Sequence, residues 1–239
     1  MQERAIDYEH GGARLCGIAF VPEGAHAKLP GILVAHDWRG RHDFAIDQAR
    51  KLASFGFVTF ALDMYGDAKV GAELSECVAL MQPLAQDRAL LMGRIQAALA
   101  ALKAVPEVDV ARTAAIGFCF GGKCVLDLAR SGAEVSGVVS LHGLLDPPPK
   151  ELCKPARARV LVLHGFRDPM APPEQLVALG HELTALGADF QLLAYGRAAH
   201  AFANPAANQP ERGAMYDELT RDRAYRLMHD FFLELFAPS

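Results

Sequence analysis

The chain has 239 residues, 51% of them hydrophobic and 22% charged, with a formal net charge of -4. That length and balance fit an ordinary soluble globular protein, and the slightly acidic charge excludes a basic surface for nucleic acid or anionic lipid. No run of 18 or more uncharged apolar residues occurs, so no membrane span is expected.

The opening MQERAIDYEHGG is charged and lacks an apolar core, which predicts no secretory leader. Apolar runs bounded by Gly, Pro or Asp then predict strands at 15–21, 31–36, 57–62, 113–118, 135–141, 159–164 and 189–195. They are short, rich in Val, Ile, Leu and Phe, and mostly not alternating, as in strands buried on both faces. Between them, helical periodicity predicts helices over 43–56, 87–105, 124–132, 173–187 and 216–236. Gly56 falls where a helix C-terminus favours glycine. The proline-rich 146–150 stretch reads as a surface loop, and no repeat or long linker is present. Strand–helix alternation over this length predicts one α/β domain spanning 1–239, with a mainly parallel central sheet flanked by helices on both faces.

Five cysteines (Cys16, Cys77, Cys119, Cys124 and Cys153) are odd in number and scattered, without the spacing of a metal site. Reduced thiols, a cytoplasmic protein and no bound metal are expected. No nucleotide, flavin or zinc-protease motif is present, so no cofactor is expected. No interface signature indicates an oligomeric state.

One cysteine stands apart. Cys119 lies in GFCFGG (117–122), where an apolar run gives way to a helical pattern. A sharp strand-to-helix turn strains its central residue, and flanking glycines remove the Cβ atoms that would clash. Such a turn also sets the sulfur at a helix N-terminus, which favours negative charge, and points the N–H of Phe120 at a developing oxyanion. Asp168 follows a later strand in HGFRDPMAPPEQ, where an acid can orient an imidazole. His200 lies in a small-residue loop after the last predicted strand. Taken one at a time, the cysteine has an alternative reading as a small buried residue in a Gly-rich turn, the aspartate as a turn starter, and the histidine as one of nine. Their order along the chain, nucleophile then acid then base, is that of α/β-hydrolases. His36, His142 and His164 also end predicted strands and are read as capping or packing residues.

With these motifs the sequence resembles the dienelactone hydrolase family of α/β-hydrolases. GFCFGG is similar to that family's cysteine nucleophile turn, HGFRDPMAPPEQ to its acid loop and GRAAHAFANP to its histidine loop. PGILVAHDWRG resembles the early strand with its oxyanion loop, and FVTFALDMYGD the next strand; the likeness runs from about residue 5 to 236. The resemblance implies an α/β-hydrolase fold with Cys119 as nucleophile, Asp168 as acid and His200 as base. It implies oxyanion donors at the backbone of Trp38 and Phe120, and a carboxylate beside the nucleophile at Asp37. Two positions depart from the family pattern: Asp37 stands where the best-known members carry the longer Glu, and Asn204 where dienelactone-cleaving members place an arginine. An amide offers hydrogen bonds without charge, which favours a neutral or weakly polar ester, thioester or lactone over an anionic one. Arg39, Arg41 and Arg88 are the cations open to a substrate carboxylate, and Phe118, Trp38, Met81, Met170 and Phe202 the candidate pocket walls.

The expected activity is covalent acyl transfer on a small-molecule ester or lactone, with no nucleic-acid or membrane partner. Two other readings compete. One is a non-catalytic binding or sensor protein on a hydrolase scaffold, which an intact triad disfavours. The other is a thiol redox protein using Cys119 and Cys124, whose spacing puts them on different helix faces.

Overall fold

A computed structural model describes residues 1–24 and 27–237. Two compact units divide the chain, Met1–Ile116 and Gly117–Ser239.

The first unit opens with two long antiparallel strands, β1 (Gln2–His10) and β2 (Ala13–Val21), joined at Gly11 and Gly12. Next come β3 (Leu29–Ala35), α1 (Asp43–Ser54), β4 (Val58–Ala61), α2 (Leu74–Gln86) and α3 (Arg88–Lys103). The strand β5 (Val108–Phe118) follows, and the order across the sheet here is β1-β2-β4-β3-β5. β3 and β4 run parallel, while β2 meets β4 antiparallel. β3 and β4 bury every side chain of Ile32 to Ala35 and of Val58 to Ala61, as expected for strands covered on both faces. α1 packs on them through Ala45, Ala49, Leu52 and Ala53, while α3 packs on β3 and β1, burying Leu91, Ile95, Ala98 and Leu102.

Two elements of this unit escape the sequence reading. β1 alternates exposed and half-buried residues at the sheet edge, so its polar sequence carries no apolar run. It is held by Arg4, whose guanidinium donates to both Glu107 carboxylate oxygens at 2.9 and 2.6 Å. α2 is interrupted by Pro83, which removes a backbone donor near its end. A reciprocal cap between Glu73 and Glu76 fixes its start instead.

The second unit begins at the end of β5 and holds α4 (Phe120–Arg130), β6 (Gly137–Leu141), β7 (Arg159–Gly165), α5 (Pro173–Ala185), β8 (Phe190–Tyr195) and α6 (Glu218–Leu235). β6, β7 and β8 are consecutive and parallel, in register from Gly137 opposite Arg159 and from Val160 opposite Phe190. A two-stranded ladder, β9 (Asn208–Gln209) with β10 (Ala214–Met215), folds the loop before α6. All eleven residues of α4 are buried, so this helix shows no polar face. Its charged side chains are met inside. Arg130 donates to both Glu182 carboxylate oxygens at 2.8 Å and to Asp127 at 3.1 Å, and Lys123 pairs with Asp146 at 2.8 Å. The expected mainly parallel sheet, alternating with six helices, is thus present among the described residues.

Candidate active site

β5 ends at Phe118 and α4 begins at Phe120, so Cys119 alone makes the turn between them. Its φ of 54° and ψ of -116° place a side-chain-bearing residue in the left-handed half of backbone space. Such a conformation costs about 1–3 kcal/mol and persists only where the surroundings dictate it. Here they do. A Cβ on Gly117 would lie 2.0 Å from the Gly121 carbonyl oxygen, and one on Gly122 2.6 Å from both Gly143 Cα and Ser140 Oγ. The glycines are required because backbone meets backbone. Hydrogen bonds then fasten the turn. The Cys119 N–H donates to Leu141 O at 3.2 Å, and its carbonyl accepts from Gly122 at 3.0 Å and Leu144 at 3.3 Å. Phe120 opens α4, which sets its N–H at the positive end of the helix.

Asp168 sits in the turn after β7 with its side chain wholly buried. Oδ1 accepts from the N–H groups of Met170 at 2.8 Å and Ala171 at 3.3 Å, while Oδ2 accepts from His200 Nδ1 at 2.7 Å. Both oxygens are committed, so the carboxylate cannot rotate without losing bonds. His200 is clamped through its main chain. Its N–H donates to Gly213 O, and its carbonyl accepts from Met215, both at 2.9 Å. Ala201 turns the chain away at a φ of 57°.

The Nδ1–H bond to Asp168 makes Nε2 the free-working nitrogen of His200. Burial pushes this imidazole down. The Cys119 sulfur, and after it the Asp168 carboxylate, more than offset that and raise it to about 10. Nε2 itself makes no hydrogen bond of ordinary distance and angle. The sulfur acts on the imidazole first through charge and then through a loose hydrogen bond, a looseness common before substrate binds.

The three strand-end histidines behave differently from one another. His36 donates from Nδ1 to Asp37 O at 2.6 Å and accepts at Nε2 from Met64 N–H at 3.1 Å, a structural tie inside the first unit. His164 donates from Nε2 to Ala171 O at 2.7 Å and so braces the acid loop. His142 is buried, and neither ring nitrogen has a hydrogen-bond partner among the described residues. Its ring lies edge-on to His200 at 5.4 Å and to Phe202 at 5.1 Å, with Phe118 at 5.9 Å. Of the candidate wall residues, Phe118 and Phe202 join this cluster. Met170 is 38% exposed on the acid loop. Asn204 turns its amide oxygen to its own loop, accepting from Ala206 N–H at 3.0 Å.

Asp37, Trp38, Arg39, Arg41, Met81 and Arg88 belong to the first unit. Asp37 is buried, and its carboxylate accepts from Arg39 N–H at 2.9 Å and pairs with His42 Nε2 at 3.1 and 3.2 Å. The sequence reading did not name His42; an aspartate followed five residues later by histidine at a helix start is the signal it left unused. The Trp38 carbonyl accepts from Tyr65 Oη at 2.8 Å. Arg39 reaches Gly71 O at 3.4 Å and Arg41 reaches Cys16 O at 2.8 Å. Arg88 is only 6% exposed, at the first position of α3, rather than lying on the surface. Among the described residues, no group of three or more His, Cys, Asp or Glu side chains is placed to hold a metal ion. No helix among them is long and apolar enough to cross a membrane.

Residues 15–236 match the model of the dienelactone hydrolase family. A solved dienelactone hydrolase-like promiscuous phosphotriesterase from metagenomic libraries is 38% identical, with 99% of each chain covered and a TM-score of 0.94. A putative carboxymethylenebutenolidase of Yersinia pestis is 26% identical over 224 residues, covering 89% of this chain and 81% of its own. An uncharacterized protein of Caenorhabditis elegans is 36% identical over 152 residues, covering 62% of this chain and 95% of its own.

Proposed function

The chain belongs to the dienelactone hydrolase family, and we propose that it cleaves small, uncharged esters, thioesters or lactones with Cys119 as nucleophile, Asp168 as acid and His200 as base. The class, an ester or lactone hydrolase, follows from the family. The observation that supports the residue roles is the strained turn of Cys119 together with a His200 ring held by Asp168 and pulled up electrostatically by the Cys119 sulfur.

In the first step the Cys119 sulfur, its proton held by His200 Nε2, adds to the carbonyl carbon. The oxyanion takes a hydrogen bond from the Phe120 N–H. As the carbon–oxygen bond breaks, His200 returns the proton to the leaving alkoxide, leaving a thioester on Cys119. Water then gives a proton to His200 and adds to that thioester; the carbon–sulfur bond breaks and the sulfur again faces the protonated ring. Asp168 holds the ring and balances the imidazolium throughout, without itself taking the proton. Asn204 in place of a cation supports an uncharged substrate, since its amide oxygen is already committed to Ala206.

A second substrate type has specific support. The metagenomic neighbour, similar over 99% of both chains, is described as a promiscuous phosphotriesterase. The same sulfur attack at phosphorus gives phosphotriester cleavage as a side activity here.

Hydrolysis of p-nitrophenyl acetate and of diethyl p-nitrophenyl phosphate tests both. Wild type should turn over the acetate at a rate that falls at least 10³-fold in Cys119→Ala and in His200→Ala, since the triad members act as a unit. Inactivity of the wild type on esters, thioesters and lactones, with tight binding of such molecules, would favour a binding protein instead.

A further inference from the structure

His142 takes no part in the proposed acyl transfer, although it too is held at a positive φ beside His200. It follows β6 directly, at the carboxyl end of a parallel strand, where open α/β sheets place their ligands. Its backbone φ is 38°, a left-handed conformation that a histidine adopts at a cost. The backbone on either side is fixed. His142 N–H donates to Leu163 O at 2.9 Å, Leu141 O accepts from Cys119, and a Cβ on Gly143 would lie 2.2 Å from Ser140 Oγ and 3.1 Å from Gly122 Cα. The ring is 1% exposed and framed by Phe118, Phe202 and His200.

Packing alone would be served better by phenylalanine. Two of the three frame residues are phenylalanines, and an imidazole whose Nδ1 and Nε2 both lack partners carries a desolvation cost that a benzene ring does not. Local rules are broken in this way mainly at sites that use the broken element. The same condition marks Nδ1 of His164, the ring that braces the acid loop, and Nε2 of His200, the proposed base, on the ring that His142 meets edge-on at 5.4 Å. The His142 and His200 rings are both covered in the resting site, and both are free to bond a substrate once it enters.

We propose that His142 is a substrate-binding residue: a neutral imidazole beside His200 that donates a hydrogen bond to the leaving group, selecting one that carries a second, uncharged oxygen. This rests on the hydrolase reading above, which places the leaving oxygen at His200. Burial, and then the charge on His200, hold His142 well below the usual histidine range, so it acts as a neutral donor. A neutral donor in a dry aromatic frame suits an ether, hydroxyl or lactone carbonyl oxygen. It gives an anionic or cationic group no counter-charge and strips its water.

The test compares 2-methoxyphenyl acetate with phenyl acetate, whose leaving groups differ by one uncharged oxygen. The wild-type preference for the methoxy ester, as a ratio of kcat/KM values, should fall about tenfold in His142→Phe, the worth of one buried hydrogen bond. His142→Asn, which restores an N–H donor, should recover part of the ratio. His142→Phe should melt no lower than wild type, which separates lost recognition from lost folding. Binding of 2-methoxyphenol relative to phenol in Cys119→Ala, with and without His142→Phe, reads the same contact without turnover and should show the same tenfold change. An unchanged ratio in both assays would overturn the assignment of His142 while leaving the hydrolase intact. Ester hydrolysis that survives Cys119→Ala would instead overturn the mechanism, and the phenol-binding ratio would still decide His142.

Discussion

His200 is the residue on which the site's electrostatics converge. Its imidazole is raised from 6.5 to about 10 against the pull of burial, chiefly by the Cys119 sulfur and then by Asp168. A folded-state value above the unfolded one stabilises the protein fully at pH below about 6.5, and that stabilisation is lost as pH rises through about 10. Wild type should therefore lose more resistance to urea between pH 7 and pH 10 than Cys119→Ala, which lacks the main upward pull. Equal losses in the two proteins would show that sulfur and imidazole are not coupled. The three proposed triad residues were legible in sequence because each follows a strand and their order matches a known chemistry. His142 was read as packing because nothing in the letters LHG distinguishes it from His36 or His164. Only the hydrogen bonds of the folded chain do, and those depend on what each ring meets across the sheet.

Among the elements, α4 shows most clearly how tertiary structure overrides local pattern. Helical periodicity places this helix at 124–132, while the cysteine turn already implies a helix N-terminus there; the structure starts it at Phe120. Gly122 must lack a Cβ to fit against Gly143 and Ser140, and Gly117 must lack one to let the Gly121 carbonyl approach the end of β5. The helix is buried on every side, so its charges must be paired within the fold. Arg130 and Asp127 are both fully buried, and Glu182 of α5 closes the network from the other side. Arg130→Ala should destabilise the protein by about 3–5 kcal/mol, the usual cost of removing one partner from a buried pair. Chemical denaturation measures it, and a loss below about 1 kcal/mol would mean that Asp127 and Glu182 are accommodated without the guanidinium. The missed strand β1 and helix α2 have the opposite character: exposed, polar or proline-interrupted, they owe their form to an edge pairing and to caps rather than to an apolar pattern.

At the scale of the whole molecule, the alternation of buried strands and helices carries the fold class on its own. Seven of the strands were predicted from apolar runs; six begin and end within two residues of their place, and β5 begins five residues before its apolar run. What the sequence leaves open is chemical detail that rests on distance. Asp37 is a residue of this kind. Its carboxylate is engaged by His42 and by the Arg39 N–H within the first unit, a pairing whose only trace in sequence is the five-residue spacing to a histidine at a helix start. Asn204 likewise spends its amide oxygen on its own loop. Both arrangements leave the triad residues of the second unit as the centre of the account.

The claim that they do covalent chemistry is tested most directly by intact-mass analysis during turnover of p-nitrophenyl acetate, with quenching at acid pH to trap the acyl-enzyme. Wild type should gain the mass of one acetyl group, mapped by digestion to Cys119, and Cys119→Ala should gain none. An acetyl group on another residue, or hydrolysis at full rate without any adduct in either protein, would contradict the account.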